Sequence, residues 1–110
     1  MPTQTAEDKR RNAYYINRYG ITLDEYNHML TRYNGGCWIC QWVPSDRNRR
    51  LSVDHKHVRG SDKRGKVRGL LCWRCNAGIA KFKDNVSHLR NAANYLENTE
   101  VLPPCSLASP

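Results

Sequence analysis

Four of the five cysteines in this 110-residue chain fall in two Cys-x-x-Cys pairs, Cys37/Cys40 and Cys72/Cys75, with thirty-one residues between the pairs. Two residues between thiolates let a tight turn aim both sulfurs at one ion, and two such turns complete the tetrahedron that Zn²⁺ accepts without strain. The chain must then fold back so that one pair meets the other. Structural zinc contributes on the order of 10–16 kcal/mol of apparent binding free energy in small peptides, comparable with the whole stability of a typical domain. The rival readings are a redox dithiol and a set of disulfides. A redox enzyme needs a single Cys-x-x-Cys in a βαβ setting, and the sequence offers no such unit. Cys105 lies in a polar tail and reads as an incidental thiol.

The length suits one compact domain and is too short for two with separate cores. Hydrophobic residues make up 39% of the chain and charged residues 25%, so the apolar core is thin and a metal staple is in keeping with it. The net charge is +8, unevenly spread: Arg47 to Lys83 holds twelve basic and two acidic residues, and the remainder is slightly acidic. A basic stretch beside a nearly neutral remainder suits a polyanion such as nucleic acid. The plainer reading is a solvated basic face that only keeps the chain soluble. The first twenty residues carry no signal-like apolar run and eighteen consecutive apolar residues occur nowhere, so we expect neither secretion nor a membrane span. A cytosolic, reducing compartment follows, where paired cysteines mark metal more often than disulfides.

Residues 1–12 are polar and predict a disordered start running into a helix through Ala13–Arg18, closed by Gly20. Thr22 with Glu25 is a capping-box pattern, and Leu23, Tyr26, Leu30 and Tyr33 recur at helical spacing, which predicts a second helix over about Leu23–Tyr33. Gly35 and Gly36 stop it just before Cys37. Leu51–His57 alternates as a short strand would, Gly60–Lys66 reads as a basic loop, and Val67–Leu71 as a second strand, together a hairpin. The pattern turns helical from Trp73 to Phe82, and Asp84 is placed to cap a last helix with Val86, Leu89, Ala93 and Leu96 on one stripe. His28 and His88 read as ordinary helix-surface residues, and Trp38, Trp42 and Trp73, beside the knuckles, as zinc-shielding core.

Between the knuckles stands Val53-Asp54-His55-Lys56-His57, and Asn76 follows the last cysteine directly. A carboxylate next to an imidazole at a strand end can set a metal ligand and a proton acceptor beside one phosphate. Asp54 offers hard oxygen for Mg²⁺, and the Asn76 amide a second such ligand. Alone, an Asp-His pair is more often a salt-bridged strand end with a surface histidine. The zinc changes its setting, because it tethers Cys75, and with it Asn76, close to the other knuckle.

The segments Cys37-Trp38-Ile39-Cys40, Val53-Asp54-His55-Lys56-His57 and Gly65-Lys66-Val67-Arg68-Gly69-Leu70-Leu71-Cys72-Trp73-Arg74-Cys75-Asn76 resemble the phage recombination endonuclease VII family and its HNH relatives, over roughly residues 19–97. The resemblance implies an α+β chain: a small ββα-metal (His-Me finger) fold with a four-cysteine structural zinc and flanking helices. It implies a divalent-metal-dependent DNA endonuclease in which Asp54 and Asn76 bind catalytic Mg²⁺ or Mn²⁺ and His55 is the general base. His57 would support phosphate binding or metal geometry, and spacing alone does not choose between the two histidines, since strict alternation puts Asp54 on one strand face and both histidines on the other. The expected organisation is a helical lead-in over 1–34, a zinc-stapled nuclease core over 35–97 and a disordered tail over 98–110.

Two departures stand out. Ile79 occupies the place where the family pattern has a glutamate, which predicts an altered rate or metal preference, and the chain ends soon after Leu96, where the family's junction resolvases continue into a dimerising portion. Arg49, Arg50, Lys56, Arg59, Lys63, Arg64, Lys66 and Arg68 flank the two strands and are the expected phosphate-backbone contacts, which give affinity rather than sequence choice. Expected partners are therefore DNA, no membrane, and beyond these a second copy of the chain or a phage or host protein, with a phage-encoded chain acting in the bacterial cytoplasm. The alternative is a non-catalytic, zinc-stabilised nucleic-acid-binding module.

Overall fold

The computed structural model describes residues 5–45, 50–56 and 66–101. In chain order the elements are helices α1 (Ala6–Tyr19) and α2 (Leu23–Leu30), a 3-10 turn (Thr31–Tyr33), strands β1 (Ser52–His55) and β2 (Val67–Leu71), and helices α3 (Trp73–Lys81) and α4 (Val86–Asn98). Among the described residues, four helices and one two-stranded sheet make an α+β chain, with β1, β2 and α3 in the expected ββα order. Contacts divide the chain into two compact units, Met1–Ala77 and Gly78–Pro110.

In the first unit, α1 starts earlier than the polar composition of residues 1–12 predicts. Thr5 caps it with a full capping box: its hydroxyl accepts from Asp8 N at 3.0 Å and the Asp8 carboxylate accepts from Thr5 N at 3.2 Å. Gly20, at φ 76°, ends it as expected, its N–H reaching back to the Tyr15 and Ile16 carbonyls. The predicted Thr22/Glu25 box opens α2, with bonds of 3.0 and 2.9 Å. Helix α2 is one turn shorter than predicted, its last residues tightening into the 3-10 turn.

Burial explains why these helices stay with the sheet. Tyr15, Leu23 and Tyr26 are buried with Leu51, Val53, Leu70 and Leu71. The Tyr15 and Tyr26 rings stack at 4.6 Å, and Asn12 Oδ1 accepts from Leu23 N at 2.8 Å, locking α1 to α2. The Tyr26 hydroxyl then donates to the Leu51 carbonyl at 2.9 Å, which pins α2 to the entrance of β1. Burial pushes the Tyr26 phenol far up, so it remains a donor at any working pH.

The hairpin is antiparallel, pairing Ser52 with Leu71, Val53 with Leu70 and Asp54 with Gly69. His55 then pairs with Val67, which leaves Arg68 as an extra residue in β2 and makes a bulge at the Asp54–His55 step. The Lys56 N–H to Lys66 carbonyl bond, 2.7 Å, closes the described end of the hairpin.

In the second unit Lys83 and Asp84 take left-handed backbone angles, φ 53° and 56°, and the chain turns before α4. The cap of α4 is therefore Asn85, whose side chain accepts from His88 N at 2.9 Å, and not Asp84 as predicted. Val86, Ala93 and Leu96 of the expected apolar stripe are exposed and Leu89 is half-buried.

Candidate functional site

The first knuckle is shaped by its backbone. Gly35, at φ 85°, and Gly36 deliver the chain from the 3-10 turn to Cys37, and a Cβ on Gly36 would come within 2.5 Å of the Gln41 carbonyl oxygen. Cys37 N donates to the Trp42 carbonyl and Gln41 N to the Cys37 carbonyl, at 2.9 and 2.8 Å. Trp38 N donates to the Leu70 carbonyl at 2.9 Å, so the knuckle is tied to β2, from which Cys72 follows one residue after Leu71.

The fold therefore brings all four cysteines together, their sulfurs lying within 4.8 Å of one another. A tetrahedral ion with bonds of about 2.3 Å places its sulfurs about 3.8 Å apart. Cys40 Sγ and Cys72 Sγ are 3.7 Å apart, the edge such a tetrahedron requires. Ile39 N and Cys75 N point at Cys37 Sγ and Cys72 Sγ from 3.4 and 3.5 Å, N–H donors that favour thiolate. Burial raises the Cys37 thiol, but the backbone N–H groups of Cys40, Cys72 and Ile39 outweigh it and hold Cys37 at about 6. Burial, and then sulfur contacts with Cys72, Cys40 and Cys37, push Cys75 up to about 12. This is a site that can hold a structural zinc ion.

The tryptophans divide differently from the expectation. Trp38 is half-buried and lies on β2: a Cβ on Gly69 would run into its ring. Arg32 stands over that ring at 4.7 Å. Trp73 is 73% exposed and Trp42 is also exposed. Cys72 and Cys75 take the metal-facing positions at the start of α3, and Trp73, about 100° further round the helix, is turned outward.

Asp54 is 6% exposed and buried at the bulge. Its carboxylate accepts from Arg68 through both oxygens, Nε to Oδ2 at 2.7 Å and Nη2 to Oδ1 at 3.1 Å. Regular alternation would place Arg68 on the face opposite Asp54, whose direct partner is Gly69; the extra residue re-aims Arg68 across to the carboxylate. His55 is half-buried, with its ring 6.5 Å from that of Tyr19 at the end of α1. Asn76 is half-buried in the first turn of α3, its N–H bonded to the Cys72 carbonyl at 3.0 Å. Among the described residues, the four cysteines are the group of histidine, cysteine and carboxylate side chains whose ligand atoms converge.

Of the expected phosphate contacts, Lys56 and Lys66 are exposed at the closed end of the hairpin, and Arg68 is engaged with Asp54. Arg50 lies 3.7 Å from Glu7 of α1. His57, Arg49, Arg59, Lys63 and Arg64 lie outside the described residues, as does Cys105. Sequence reasoning missed Tyr19 as a neighbour of His55 and Arg68 as the partner of Asp54. A tyrosine at a helix end carries no pattern that would announce the first, and the second depends on a bulge.

An α+β chain whose hairpin is clamped by a four-cysteine site is what the geometry defines, and residues 12–98 match the family described as recombination endonuclease VII. The chain belongs to that family. It is 44% identical over 79 residues to the Gene 59 protein of Mycobacterium phage D29, covering 71% of this chain and 44% of that protein. To the Gene 59 protein of Mycobacterium phage L5 it is 42% identical over 81 residues, covering 73% of this chain and 46% of that one. The chain thus spans less than half the length of these curated relatives. No described helix is long and apolar enough to cross a membrane.

Proposed function

We propose that this chain is a divalent-cation-dependent DNA endonuclease of the HNH type, with His55 as general base and Asp54 and Asn76 as the residues that would hold Mg²⁺ or Mn²⁺. A carboxylate with an amide oxygen is a hard donor set that suits these ions, and the Asp54 carboxylate is buried at the end of β1. When bound, the cation supplies charge neutralisation at the phosphoryl and leaving oxygens. His55 takes a proton from the attacking water, and the half-buried ring, flanked by Tyr19, has restricted freedom to turn. Lys56 and Lys66, with Arg49, Arg50, Arg59, Lys63, Arg64 and Arg68, grip the backbone, and His57 assists at the phosphate. The lead-in over 1–34, the core over 35–97 and the tail over 98–110 divide the work, in a phage-encoded protein acting in the host cytoplasm, with a second copy or another phage or host protein as a further partner.

The observation that supports this reading most is the buried Asp54 carboxylate next to His55 on β1, in a chain that belongs to an endonuclease family. The extra residue lies in β2, so the bulge turns Arg68 toward Asp54, and Asp54 and His55 stay neighbours on β1. The second reading, a non-catalytic zinc module that binds nucleic acid, is favoured by Arg68, which already occupies both oxygens of Asp54. Cleavage assays on plasmid, linear duplex and branched DNA separate the two. The endonuclease converts at least one of these with Mg²⁺ or Mn²⁺ and loses that with Asp54→Ala. A zinc module binds all of them and cuts none.

A further inference from the structure

Arg68 is the one described residue whose cationic head sits on a proposed metal ligand, and its placement is specific. It is the bulge residue of β2, its guanidinium meets Asp54 through two donors at 2.7 and 3.1 Å, and the carboxylate it meets has 8% of its side chain exposed while that of Arg68 has 36%. A buried carboxylate without a counter-ion is strongly disfavoured, so the fold has built a permanent positive charge into the position that a divalent cation would take. Both carboxylate oxygens are committed to that fork.

We propose that Arg68 is a resident counter-ion of Asp54, a positioning residue that holds the carboxylate oriented and must yield it before a divalent cation can bind there. The inference rests on the reading of Asp54 as a cation ligand. Its consequence is that Arg68 lowers cation affinity: every ion that binds Asp54 has first to break two charge-assisted hydrogen bonds. The Arg68 side chain is 36% exposed and that of Asp54 8%, so the arginine is the partner that solvent reaches. The protein therefore stays folded with its ligand pre-set when no divalent ion is present, and it takes up the ion only where the ion is plentiful enough to displace an internal competitor.

The test is a Mn²⁺ titration of zinc-loaded, DNA-free protein, with free Mn²⁺ read by electron paramagnetic resonance, for wild type, Asp54→Ala, Arg68→Ala and Arg68→Lys. We expect Asp54→Ala to lose the site and Arg68→Ala to bind Mn²⁺ at least about tenfold more tightly than wild type, since even one hydrogen bond to a charged group accounts for a tenfold change. Arg68→Lys, which keeps the charge and loses the fork, falls between and guards against an Arg68→Ala protein that does not fold. If Asp54→Ala loses the site and neither Arg68 variant binds more tightly than wild type, the counter-ion proposal is overturned while Asp54 remains a ligand. If Asp54→Ala binds as wild type does, the ligand reading fails and the proposal with it. A merely structural role for Arg68 gives weaker binding on substitution, never tighter.

Discussion

The Trp38 ring lies across Gly69 so closely that the glycine has no space for a side chain. Trp38 is inside the first knuckle and Gly69 is in β2, so this contact, with the Trp38 N to Leu70 carbonyl bond, sets the distance between the first cysteine pair and the strand that leads to the second. The atoms in the way belong to the fused ring itself, which cannot bend aside. Gly69→Ala should therefore destabilise by about 1–3 kcal/mol, the ordinary range for overpacking. Urea unfolding of the zinc-loaded protein measures it, and a variant as stable as wild type would mean that the knuckle is not seated on the strand.

The link between the lead-in helices and the hairpin can be cut at one atom. Tyr26→Phe keeps the stack on Tyr15 and removes only the hydroxyl that the buried Leu51 carbonyl accepts from. An unsatisfied buried acceptor costs about 1–3 kcal/mol. The loss should appear in urea unfolding with zinc content unchanged, since the cysteines lie elsewhere. An unchanged midpoint would show the bond to be replaceable by water.

These two contacts also mark how far the sequence could be read. The cysteine spacing, the Thr22/Glu25 box, the Gly20 stop and the alternation of Leu51–His57 are local signals, and each produced the element expected of it, although β1 itself is limited to Ser52–His55. The start of α1 was hidden because Thr5 and Asp8 sit in a polar stretch with no apolar stripe to flag a helix. The cap of α4 moved from Asp84 to Asn85 because two residues adopted left-handed angles, a choice that nothing in Lys83 or Asp84 announces. In the candidate site, order and spacing single out Asp54, His55 and Asn76, and the structure puts the first two on β1 and the third in the first turn of α3. The bulge, the Arg68 pairing and the approach of Tyr19 to His55 were not legible, because register and cross-element contacts are decided by packing that no single segment encodes.

Zinc removal should unfold the first unit rather than loosen it, because the four sulfurs join two halves of a thin core. The same site predicts a pH dependence with a definite sign. Zinc takes its sulfurs as thiolates, and even in the folded site burial and the neighbouring sulfurs push Cys75 up to about 12, so it must give up a proton when the ion binds. Zinc uptake therefore releases protons across the working range. Apparent zinc affinity must therefore fall as pH falls. Chelator competition between pH 5 and 8 reads this dependence, and an affinity that does not change with pH would contradict ligation by the four thiols.

DNA binding should be strongly salt-dependent if the hairpin's basic residues contact phosphate. Six to ten such contacts lower affinity by about 10³–10⁵-fold between 50 and 200 mM salt. Fluorescence anisotropy with a labelled duplex gives the slope, and Lys56→Ala and Lys66→Ala, both exposed at the hairpin end, should each reduce it by about one. A flat salt response would leave the basic stretch as a solvated surface and nothing more.

A general base at position 55 must do more than fill space beside Tyr19. The direct measurement is the conversion of supercoiled plasmid to open circle by zinc-loaded protein in Mg²⁺ or Mn²⁺, wild type against His55→Ala, with zinc content and duplex affinity determined on the same samples. The account predicts nicking by wild type, and a loss of about 10²–10⁴-fold in His55→Ala with zinc and DNA binding intact, the usual contribution of a general base. Equal nicking by the two proteins, or none by wild type that binds both zinc and DNA, contradicts it.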